Sequence, residues 1–478
     1  MTAMALGNET NAPWKSRLAR YCERVGNTQE PPVEGTLSRV VGLTLEATGC
    51  QAAIGSRCMV VPADAPEVEA EVVGFEGDKL YLMPIEDVQG VTPNARVVPT
   101  NRLAVARMGG ALLGRVVNGR GDPLDGKGPI HYESRVNLLG KPLNPLSRQP
   151  IREKLDVGIR TINSLLSVGL GQRMGLFAGS GVGKSMLLGM MTRFTEADVT
   201  VVGLIGERGR EVKDFVETTL GEDGMQRAVV VATPSDNSPL MRLHGAWLTT
   251  SIAEYFRDQG LKVLLLMDSL TRFAQAQREI ALAIGEPPAT KGYPPSVFTR
   301  LPQLVERAGN GPQNTGSITA FYTVLTESDD HNDPIADAAR AMLDCHVVLS
   351  RAIAESGIYP AIDVEASTSR ALPGISDQNQ RELIKQFRQL YATYLRNRDL
   401  IAVGAYQPGS DPKLDQAVQL WPKMQAFLQQ DTHESFNIAS SLNALSELLS
   451  AETGNAAAYQ DARTLNGDTD AGHEGQAP

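Results

Sequence analysis

The sequence is poor in cysteine, in aromatic side chains and in long apolar runs. Its 478 residues include four cysteines, and 5% of them are aromatic. Cysteines this sparse, without CxxC spacing, argue against a disulfide framework and indicate reduced thiols. No stretch approaches the length of a membrane span, and the first residues lack the apolar core of a secretory signal. We therefore expect a soluble protein that stays in the cytoplasm.

Basic residues are also fewer than acidic ones, 45 against 55. The net charge is -10 at pH 7, and the six histidines form no metal-ligand cluster. This balance argues against a protein that binds nucleic acid through a broad basic surface, and it leaves open only a local basic channel. The apolar share of 42% is typical of a globular protein, and the length suffices for roughly three domains.

The most informative stretch is a glycine-rich turn between an apolar run and a helical one, Ala178-Gly-Ser-Gly-Val-Gly-Lys184-Ser185. Its glycines leave backbone N–H groups free to surround a phosphate, and the helix N-terminus adds partial positive charge. Lys184 would reach the β and γ phosphates of a nucleotide, and the Ser185 hydroxyl would ligate Mg²⁺. Ala178 replaces the first glycine of the strict phosphate-loop pattern, so a chance glycine-rich turn is the alternative. The predicted nucleotide-binding run is Gly179, Ser180, Gly181, Val182, Gly183, Lys184, Ser185 and Met186.

The surrounding patterns predict several structural layers. Short β-like runs between Gly35 and Pro99, broken by Gly, Pro and Asp, predict a small β-barrel. Nearly continuous apolar runs that alternate with helical stretches predict a mainly parallel sheet, with the loop at the carboxyl end of one strand. Beyond Ser376 the spacing is helical, and Pro422 interrupts the second helical set. The predicted strands of the sheet are Arg173–Phe177, Val199–Ile205, Ala228–Ala232, Val263–Met267, Ser317–Val324 and His346–Leu349.

The two ends of the chain have distinct patterns. Near the start, apolar residues recur at helical spacing with basic residues between them, which predicts a basic amphipathic helix. This helix either packs on its own protein or docks a partner or an anionic membrane surface. The last 28 or so residues have almost no large apolar side chains, which predicts a disordered tail. The helix pattern consists of Trp14, Leu18, Tyr21 and Val25, with Lys15, Arg17, Arg20 and Arg24 between them.

Two carboxylates follow predicted strands and are candidates for the chemistry. Asp268 ends an apolar strand, where a phosphate-loop enzyme holds Mg²⁺, although a helix N-cap is the alternative. Glu207 follows the strand Val199–Ile205, where it could orient a water molecule and accept its proton. A surface salt bridge with Arg208 or Arg210 is the alternative for Glu207.

Late in the chain, Tyr359 and Arg370 are further candidates. Tyr359 could stack on an adenine ring, and the alternative is an ordinary core residue. The Arg370 guanidinium could neutralise charge on a γ phosphate, often that of an adjacent subunit, and the alternative is a salt bridge.

Together these motifs resemble the catalytic subunits of rotary ATP synthases and their secretion relatives. The resemblance is carried by Gly179-Ser-Gly-Val-Gly-Lys-Ser185, Gly206-Glu-Arg-Gly-Arg-Glu-Val212, Asp268-Ser-Leu-Thr-Arg272, Gly285 to Val297, and Tyr359-Pro-Ala-Ile-Asp363 to Arg370. Within that group the chain is most similar to the flagellum-specific ATPases of the flagellar type III export apparatus, through Gly203 to Phe215, Ala289-Thr-Lys-Gly292 and Gly404-Ala-Tyr-Gln-Pro-Gly409. The match spans roughly residues 30 to 450, and export-type relatives also tolerate alanine at position 178.

The resemblance implies an α/β protein with an N-terminal β-barrel, a RecA-like P-loop ATPase domain with a mainly parallel sheet, and a C-terminal helical domain. The implied segments are the N-terminal helix at 1–30, the barrel at 31–100, the ATPase domain at 101–375, the helical domain at 376–450 and the tail at 451–478. The implied cofactors are ATP and Mg²⁺, bound by Lys184 and Ser185, with Asp268 as the Walker B acid. Glu207 would activate water, Arg208 and Arg272 would lie near the γ phosphate, and Tyr359 would contact adenine.

The resemblance also implies partners. Arg370 would act as a finger on the ATP of a neighbour in a homohexamer. The N-terminal helix would bind a flagellar export regulator or anionic lipid at the inner membrane. A stalk-like export component, the membrane export gate and chaperone–substrate complexes would be further partners, and nucleic acid would not.

Three function classes fit these patterns to different degrees. The leading one is Mg²⁺-dependent ATP hydrolysis coupled to protein export, by a flagellar or a virulence-type injectisome ATPase. A non-catalytic nucleotide-binding ring subunit is less consistent, because Lys184, Ser185, Glu207, Asp268 and Arg370 occur in one chain. A hexameric RNA helicase would need a basic or aromatic single-strand platform, and the segment Gly35–Pro99 has little clustered positive charge.

Overall fold

In the computed structural model, the described residues are 14, 17–18, 21–22, 33–86, 88–140, 142–326 and 333–450. Those within Met1–Pro84 and Val88–Arg102 belong to one compact unit, and those within Ile85–Asp87 and Leu103–Pro478 belong to another. Within the predicted N-terminal helix, the five described residues are helical and exposed. Its other residues, and the predicted tail at 451–478, lie outside the described part of the chain. Among the described residues, no helix combines the length and the apolar character needed to cross a membrane.

The first unit contains the predicted barrel, whose strands close in the order β1-β2-β5-β4-β3-β6. Their side chains alternate between a buried and an outward position, as in β3, because successive residues of a strand point to opposite faces. Leu45, Val60, Val72 and Leu82 fill the interior. The strands are β1 (Gly35–Val41), β2 (Thr44–Thr48), β3 (Ser56–Val61), β4 (Val68–Glu76), β5 (Lys79–Pro84) and β6 (Arg96–Leu103).

Short strands follow the barrel along the chain, before the phosphate loop. β7 (Val105–Met108) pairs with β9 (Ser134–Asn137), and β10 (Lys154–Leu155) pairs with β11 (Val168–Gly169). β8 (Val116–Val117) joins the edge of the main sheet beside β14 (Ala228–Thr233). The sequence pattern did not indicate these pairings.

The main sheet has nine strands within the described residues, in the order β19-β18-β12-β17-β15-β13-β14-β8, with β16 paired to β17. All neighbours along this order are parallel except β18 and β19. The remaining strands are β12 (Arg173–Ala178), β13 (Val199–Ile205), β15 (Lys262–Asp268), β16 (Gly309–Asn310), β17 (Ser317–Leu325), β18 (Cys345–Leu349) and β19 (Ile362–Ser369). All six predicted strands are present, each within one residue of its predicted ends. The mainly parallel sheet is confirmed.

Helices cover the faces of this sheet. The 20-residue helix α4 (Pro239–Asp258) is almost entirely buried and packs on β13, β14 and β15. The helices are α1 (Lys184–Phe194), α2 (Gly209–Asp214), α3 (Gly221–Gln226), α4 (Pro239–Asp258), α5 (Leu270–Ala283), α6 (Pro295–Val305), α7 (Pro334–Met342), α8 (Arg351–Glu355), α9 (Leu372–Ile375), α10 (Gln378–Ala402), α11 (Pro412–Leu428) and α12 (Ile438–Ser450). Tighter or wider single turns occur at 110–112, 145–147, 162–166, 215–220 and 290–292.

The last three helices form the predicted helical region around Phe387, Leu420 and Leu445. The expectation that Pro422 interrupts this region was wrong, because α11 continues through it. A proline removes one backbone donor, but buried Leu420 and Met424 on either side anchor both halves of the helix in the core. The break comes instead between Leu428 and Ile438. With barrel, parallel sheet and helical region in place, the predicted fold class is confirmed.

Candidate active site

The predicted phosphate loop connects β12 to α1 at the end of the sheet where the parallel strands stop, here called the carboxyl edge. Gly181 and Gly183 have φ values of 78° and 85°, which favour glycine because other residues would be strained there. No backbone amide of residues 179–183 donates a hydrogen bond of ordinary geometry to another described residue. Five consecutive amides are therefore available to an anionic ligand, next to the N-terminus of an eleven-residue helix.

Lys184 contacts both predicted carboxylates. Its Nζ lies 2.7 Å from Asp268 Oδ1 and 3.2 Å from Glu207 Oε1. The contact arises because β12, β13 and β15 all end at the carboxyl edge, although the three residues are up to 84 positions apart in sequence. The structure thus brings together the lysine of the predicted phosphate loop and the two carboxylates predicted at strand ends.

The charged side chains of Lys184, Glu207 and Asp268 are mostly buried. Burial alone would lower the pKa of Lys184, but Asp268 and Glu207 together raise it above its usual value. Burial raises the pKa of Asp268, although the Lys184 ammonium acts in the opposite direction. The lysine therefore stays charged, and its positive charge is shared between two carboxylates until a stronger anion competes for it.

The alternatives considered for the carboxylates are not what the geometry shows. The residue that caps α5 is Ser269, whose Oγ accepts a hydrogen bond from the Arg272 backbone at 3.2 Å, and not Asp268. Glu207 pairs with Lys184, while Arg208 pairs with Glu211 at 3.5 Å.

Ser185, Arg208 and Arg272 line the same cleft, which has a volume of about 1020 Å³. Ser185 is exposed on the first turn of α1. The Nε of Arg272 is buried and has no hydrogen-bond partner among the described residues, and its side chain passes against Gly206, where a Cβ would come within 2.9 Å of it. An orphaned guanidinium N–H beside a cluster of free amides fits an anionic ligand such as a phosphate.

Other cationic residues of the cleft escaped the sequence analysis. Arg278 lies two turns beyond Arg272 on α5, and Arg351 opens α8 and donates to the Ser180 carbonyl at 3.5 Å. Lys291 also lines the cleft and belongs to the Gly285–Val297 motif. A polar stripe at positions 271, 275 and 278 of α5, which is otherwise largely buried, could have indicated from the sequence that Arg278 faces the cleft.

Tyr359 lies beside the loop, on a second cavity of about 750 Å³. Its ring is 43% exposed, and a Cβ at Gly183 would come within 3.2 Å of it. Met186 and Gly183 line both cavities, so the two are neighbours. Phe436 and Met186 give this cavity an apolar side, and its size suits a small aromatic group. Tyr359 is thus not an ordinary core residue.

Arg370 is absent from both cavities. It follows β19, which ends at the opposite side of the sheet, here called the amino edge. Its backbone N–H donates to the Asp344 carbonyl at 3.2 Å, and Asp344 in turn pairs with Arg173, the first residue of β12. The phosphate loop begins at the other end of β12, about 17 Å away at 3.3 Å per residue. Within the described residues the exposed Arg370 guanidinium has no ion-pair partner.

Comparison with known proteins identifies the family. Residues 158–369 match the ATP synthase alpha/beta family, nucleotide-binding domain, and residues 376–447 match the T3SS EscN ATPase C-terminal domain. A flagellum-specific ATP synthase of Pseudomonas aeruginosa is 60% identical over 436 residues, which cover 91% of this chain and 97% of that protein.

Solved structures give the same result. The assembled ATPase EscN from the type III secretion system of enteropathogenic E. coli is 41% identical, with a TM-score of 0.82 over 87% of this chain and 99% of that one. EscN in complex with its central stalk EscO is 40% identical, with a TM-score of 0.79 over the same shares of the two chains. The resemblance inferred from the motifs is confirmed. The chain belongs to the family of flagellum-specific ATP synthases and is an ATPase of the type III export apparatus.

Proposed function

We propose that the chain hydrolyses Mg²⁺-ATP in a homohexameric ring, and that this hydrolysis energises the export of flagellar proteins. The observation that carries the proposal is the contact of Lys184 with Glu207 and Asp268 beside a loop of free amides. Catalysis of phosphoryl transfer depends on positioning and on stabilising charge. A buried lysine and five amides suit the phosphates, and a carboxylate on the same rim suits the attacking water.

In this proposal the γ phosphate competes with the carboxylates for Lys184. Glu207, released from the lysine, then orients a water molecule in line with the phosphate and accepts its proton. The bond from the γ phosphorus to the bridging oxygen breaks while the water oxygen bonds to phosphorus, which yields ADP and phosphate. Arg208 and Arg272, both in the cleft, stabilise the charge on the γ phosphate oxygens.

The residues at the carboxyl edge fit Mg²⁺. Ser185 presents an exposed hydroxyl in the cleft, and Asp268 presents a carboxylate beside the loop. Oxygen ligands of this kind, with the substrate's phosphates, are how proteins usually bind this ion. When bound, the ion neutralises charge on the β and γ phosphates.

The second cavity is proposed to hold the adenine. Tyr359 supplies an exposed ring on one side, and Met186 and Phe436 supply further apolar surface. The cavity adjoins the phosphate cleft at Gly183, so a single nucleotide would span both.

The position of Arg370 supports the proposed ring. An exposed guanidinium at the amino edge cannot reach the loop of its own chain, but it can complete the site of a neighbour. Structures of the assembled relative EscN support such an arrangement.

Further partners are proposed on the strength of the family. A stalk component is supported by the EscN–EscO complex. We also propose that the N-terminal helix binds an export regulator or anionic lipid, and that the export gate and chaperone–substrate complexes act with the ring at the cytoplasmic face of the inner membrane. The flagellar assignment is favoured over the injectisome because the flagellar relative is 60% identical and the injectisome relative 41%.

The test is the Mg²⁺-ATP hydrolysis rate per chain across a wide range of protein concentrations, with light scattering at each concentration. We expect the specific activity to rise cooperatively as hexamers form. A fully active monomer at the lowest concentration would contradict the shared site, and the absence of hydrolysis in assembled hexamers would contradict the catalytic roles.

A further inference from the structure

Thr323 is a buried polar residue that the proposed catalytic roles leave unused. It lies on β17, is fully buried, and follows Tyr322, which pairs with Met267 of β15. This register places Thr323 beside Asp268. The Thr323 hydroxyl lies 2.7 Å from Asp268 Oδ1 and 3.3 Å from the Met267 carbonyl, so its shorter hydrogen bond is donated to the carboxylate.

The two oxygens of Asp268 have different surroundings. Oδ1 accepts from Thr323 and from Lys184, each at 2.7 Å. No described residue donates a hydrogen bond to Oδ2. Two donors on one oxygen, one from the neighbouring strand and one from α1, restrict rotation of the carboxylate about its χ2 bond. They leave the second oxygen available to a ligand.

A buried threonine most often satisfies its hydroxyl on the backbone. Thr319 provides the comparison, because it lies four residues earlier on the same strand and is equally buried. Its Oγ1 accepts from the Gly171 backbone N–H at 2.8 Å, far from the loop. Thr323 differs because its partner is an ionisable carboxylate, and hydrogen bonds to charged groups are about twice as strong as those between neutral groups.

We propose that Thr323 is a positioning residue: it fixes the Asp268 carboxylate so that Oδ2 faces the divalent cation that accompanies the nucleotide. The inference rests on the proposed role of Asp268 in binding Mg²⁺. Lys184 is expected to turn to the phosphates when nucleotide binds, and Thr323 is then the donor that still holds Oδ1. Its contribution is therefore to metal-dependent nucleotide binding.

The test measures ADP binding by calorimetry with and without Mg²⁺, so that no turnover is needed. The quantity of interest is the ratio of the Kd without Mg²⁺ to the Kd with it. Thr323→Val keeps the shape of the side chain and removes the donor. We expect this variant to lower the ratio about tenfold, which is the order expected for a hydrogen bond to a charged group, and to leave the Kd without Mg²⁺ nearly unchanged. Thr323→Ser, which keeps the hydroxyl, should restore most of the ratio.

Thr319→Val is the matched control. It places valine in the same strand, and we expect it to lower the melting temperature without changing the Mg²⁺ ratio. If Thr323→Val does not yield folded protein, Thr323→Cys, whose thiol is a weak donor, should show the same loss.

The outcomes separate two failures. If Asp268→Asn binds ADP with the wild-type Mg²⁺ ratio, the metal role of Asp268 fails, and the inference fails with it. If Asp268→Asn loses the ratio while Thr323→Val keeps it, only the role of Thr323 is overturned. An equal loss of affinity with and without Mg²⁺ in Thr323→Val would show a structural role and would also overturn the inference.

Discussion

The two edges of the main sheet differ in whether their functional residues find partners within the same chain. At the carboxyl edge, Lys184 contacts both Glu207 and Asp268, and all three side chains are largely buried. At the amino edge, Arg370 is exposed, and within the described residues only its backbone is held, by Asp344. The first arrangement is a site that the chain assembles for itself. The second is a charged group presented outward.

This difference follows from the direction of the strands. Parallel strands bring their carboxyl ends to one edge, which collects the residues that follow β12, β13 and β15. β19 runs antiparallel to β18, so the residue that follows it lies at the opposite edge. In the proposed ring, one nucleotide domain would therefore supply the phosphate loop to its own site and Arg370 to the site of a neighbour.

Removing the finger should have the largest effect. Arg370→Ala should lower kcat for ATP hydrolysis by about 10³-fold or more, as expected for an arginine finger, while nucleotide binding changes little. Lys184→Ala should be equally inactive, because it loses the phosphate contact in its own site. Mixing the two inactive chains should restore activity, because an intact loop of one chain then meets an intact finger of the other. Steady-state ATPase assays over a range of mixing ratios measure this.

The mixing experiment needs an arginine control. Arg381 is exposed on the first turn of α10, and Arg381→Ala should hydrolyse ATP at the wild-type rate. Recovery at no ratio of Arg370→Ala to Lys184→Ala would mean that the two edges do not serve a shared site.

Removing the carboxylate at the carboxyl edge should rank second. Glu207→Gln keeps a polar partner for Lys184 but cannot accept a proton, so kcat should fall by about 10²- to 10⁴-fold. ATP affinity, measured by calorimetry, should stay within a few-fold of wild type. Glu217→Gln is the control, because Glu217 is exposed and its ion pair is with Lys213, at 3.8 Å. Hydrolysis by Glu207→Gln near the wild-type rate would assign the base to another residue. Unlike Arg370→Ala, Glu207→Gln should act on its own site.

Changing the ring beside the loop should have a moderate effect. Tyr359→Leu should raise KM for ATP about tenfold, since base–aromatic stacking is worth about 1–3 kcal/mol, with less change in kcat. Tyr359→Phe keeps the ring and should resemble the wild type. Steady-state kinetics of both variants distinguish stacking from a role of the hydroxyl. If the hydroxyl is what matters, Tyr359→Phe should raise KM as much as Tyr359→Leu does.

The sequence predicts the carboxyl edge much better than the amino edge. Each residue at the carboxyl edge follows an apolar run and a recognisable turn, and the parallel topology then forces Lys184, Glu207 and Asp268 together. Arg370 has no such local signal, and its role came only from the family motif. Thr323 was missed because a threonine inside a buried strand looks like any β-branched core residue, and only the register of β15 against β17 shows its partner. The continuity of α11 through Pro422 was missed because burial of both flanks outweighs the loss of one backbone donor.

The smallest expected effect concerns how the amino edge holds its arginine. Asp344 accepts three hydrogen bonds from Arg173, from its backbone N–H at 3.1 Å and from its guanidinium at 3.2 and 3.3 Å, and its own carbonyl accepts from the Arg370 backbone. Asp344→Asn removes the charge and should weaken this support by about 1 kcal/mol, which corresponds to about a fivefold lower kcat. KM for ATP should be unchanged, because the chain's own cleft is intact.

Mixing decides whether this effect acts through the finger. If Asp344 supports Arg370, then Asp344→Asn chains should gain activity when mixed with Lys184→Ala chains, which supply a sound finger. They should gain none with Arg370→Ala chains. If Asp344→Asn instead damages the fold of its own chain, the activity of that chain should stay low in both mixtures. If kcat stays low even when Lys184→Ala chains supply an intact Arg370, Asp344 must act on the active site of its own chain. The two edges of the sheet would then not have independent functions.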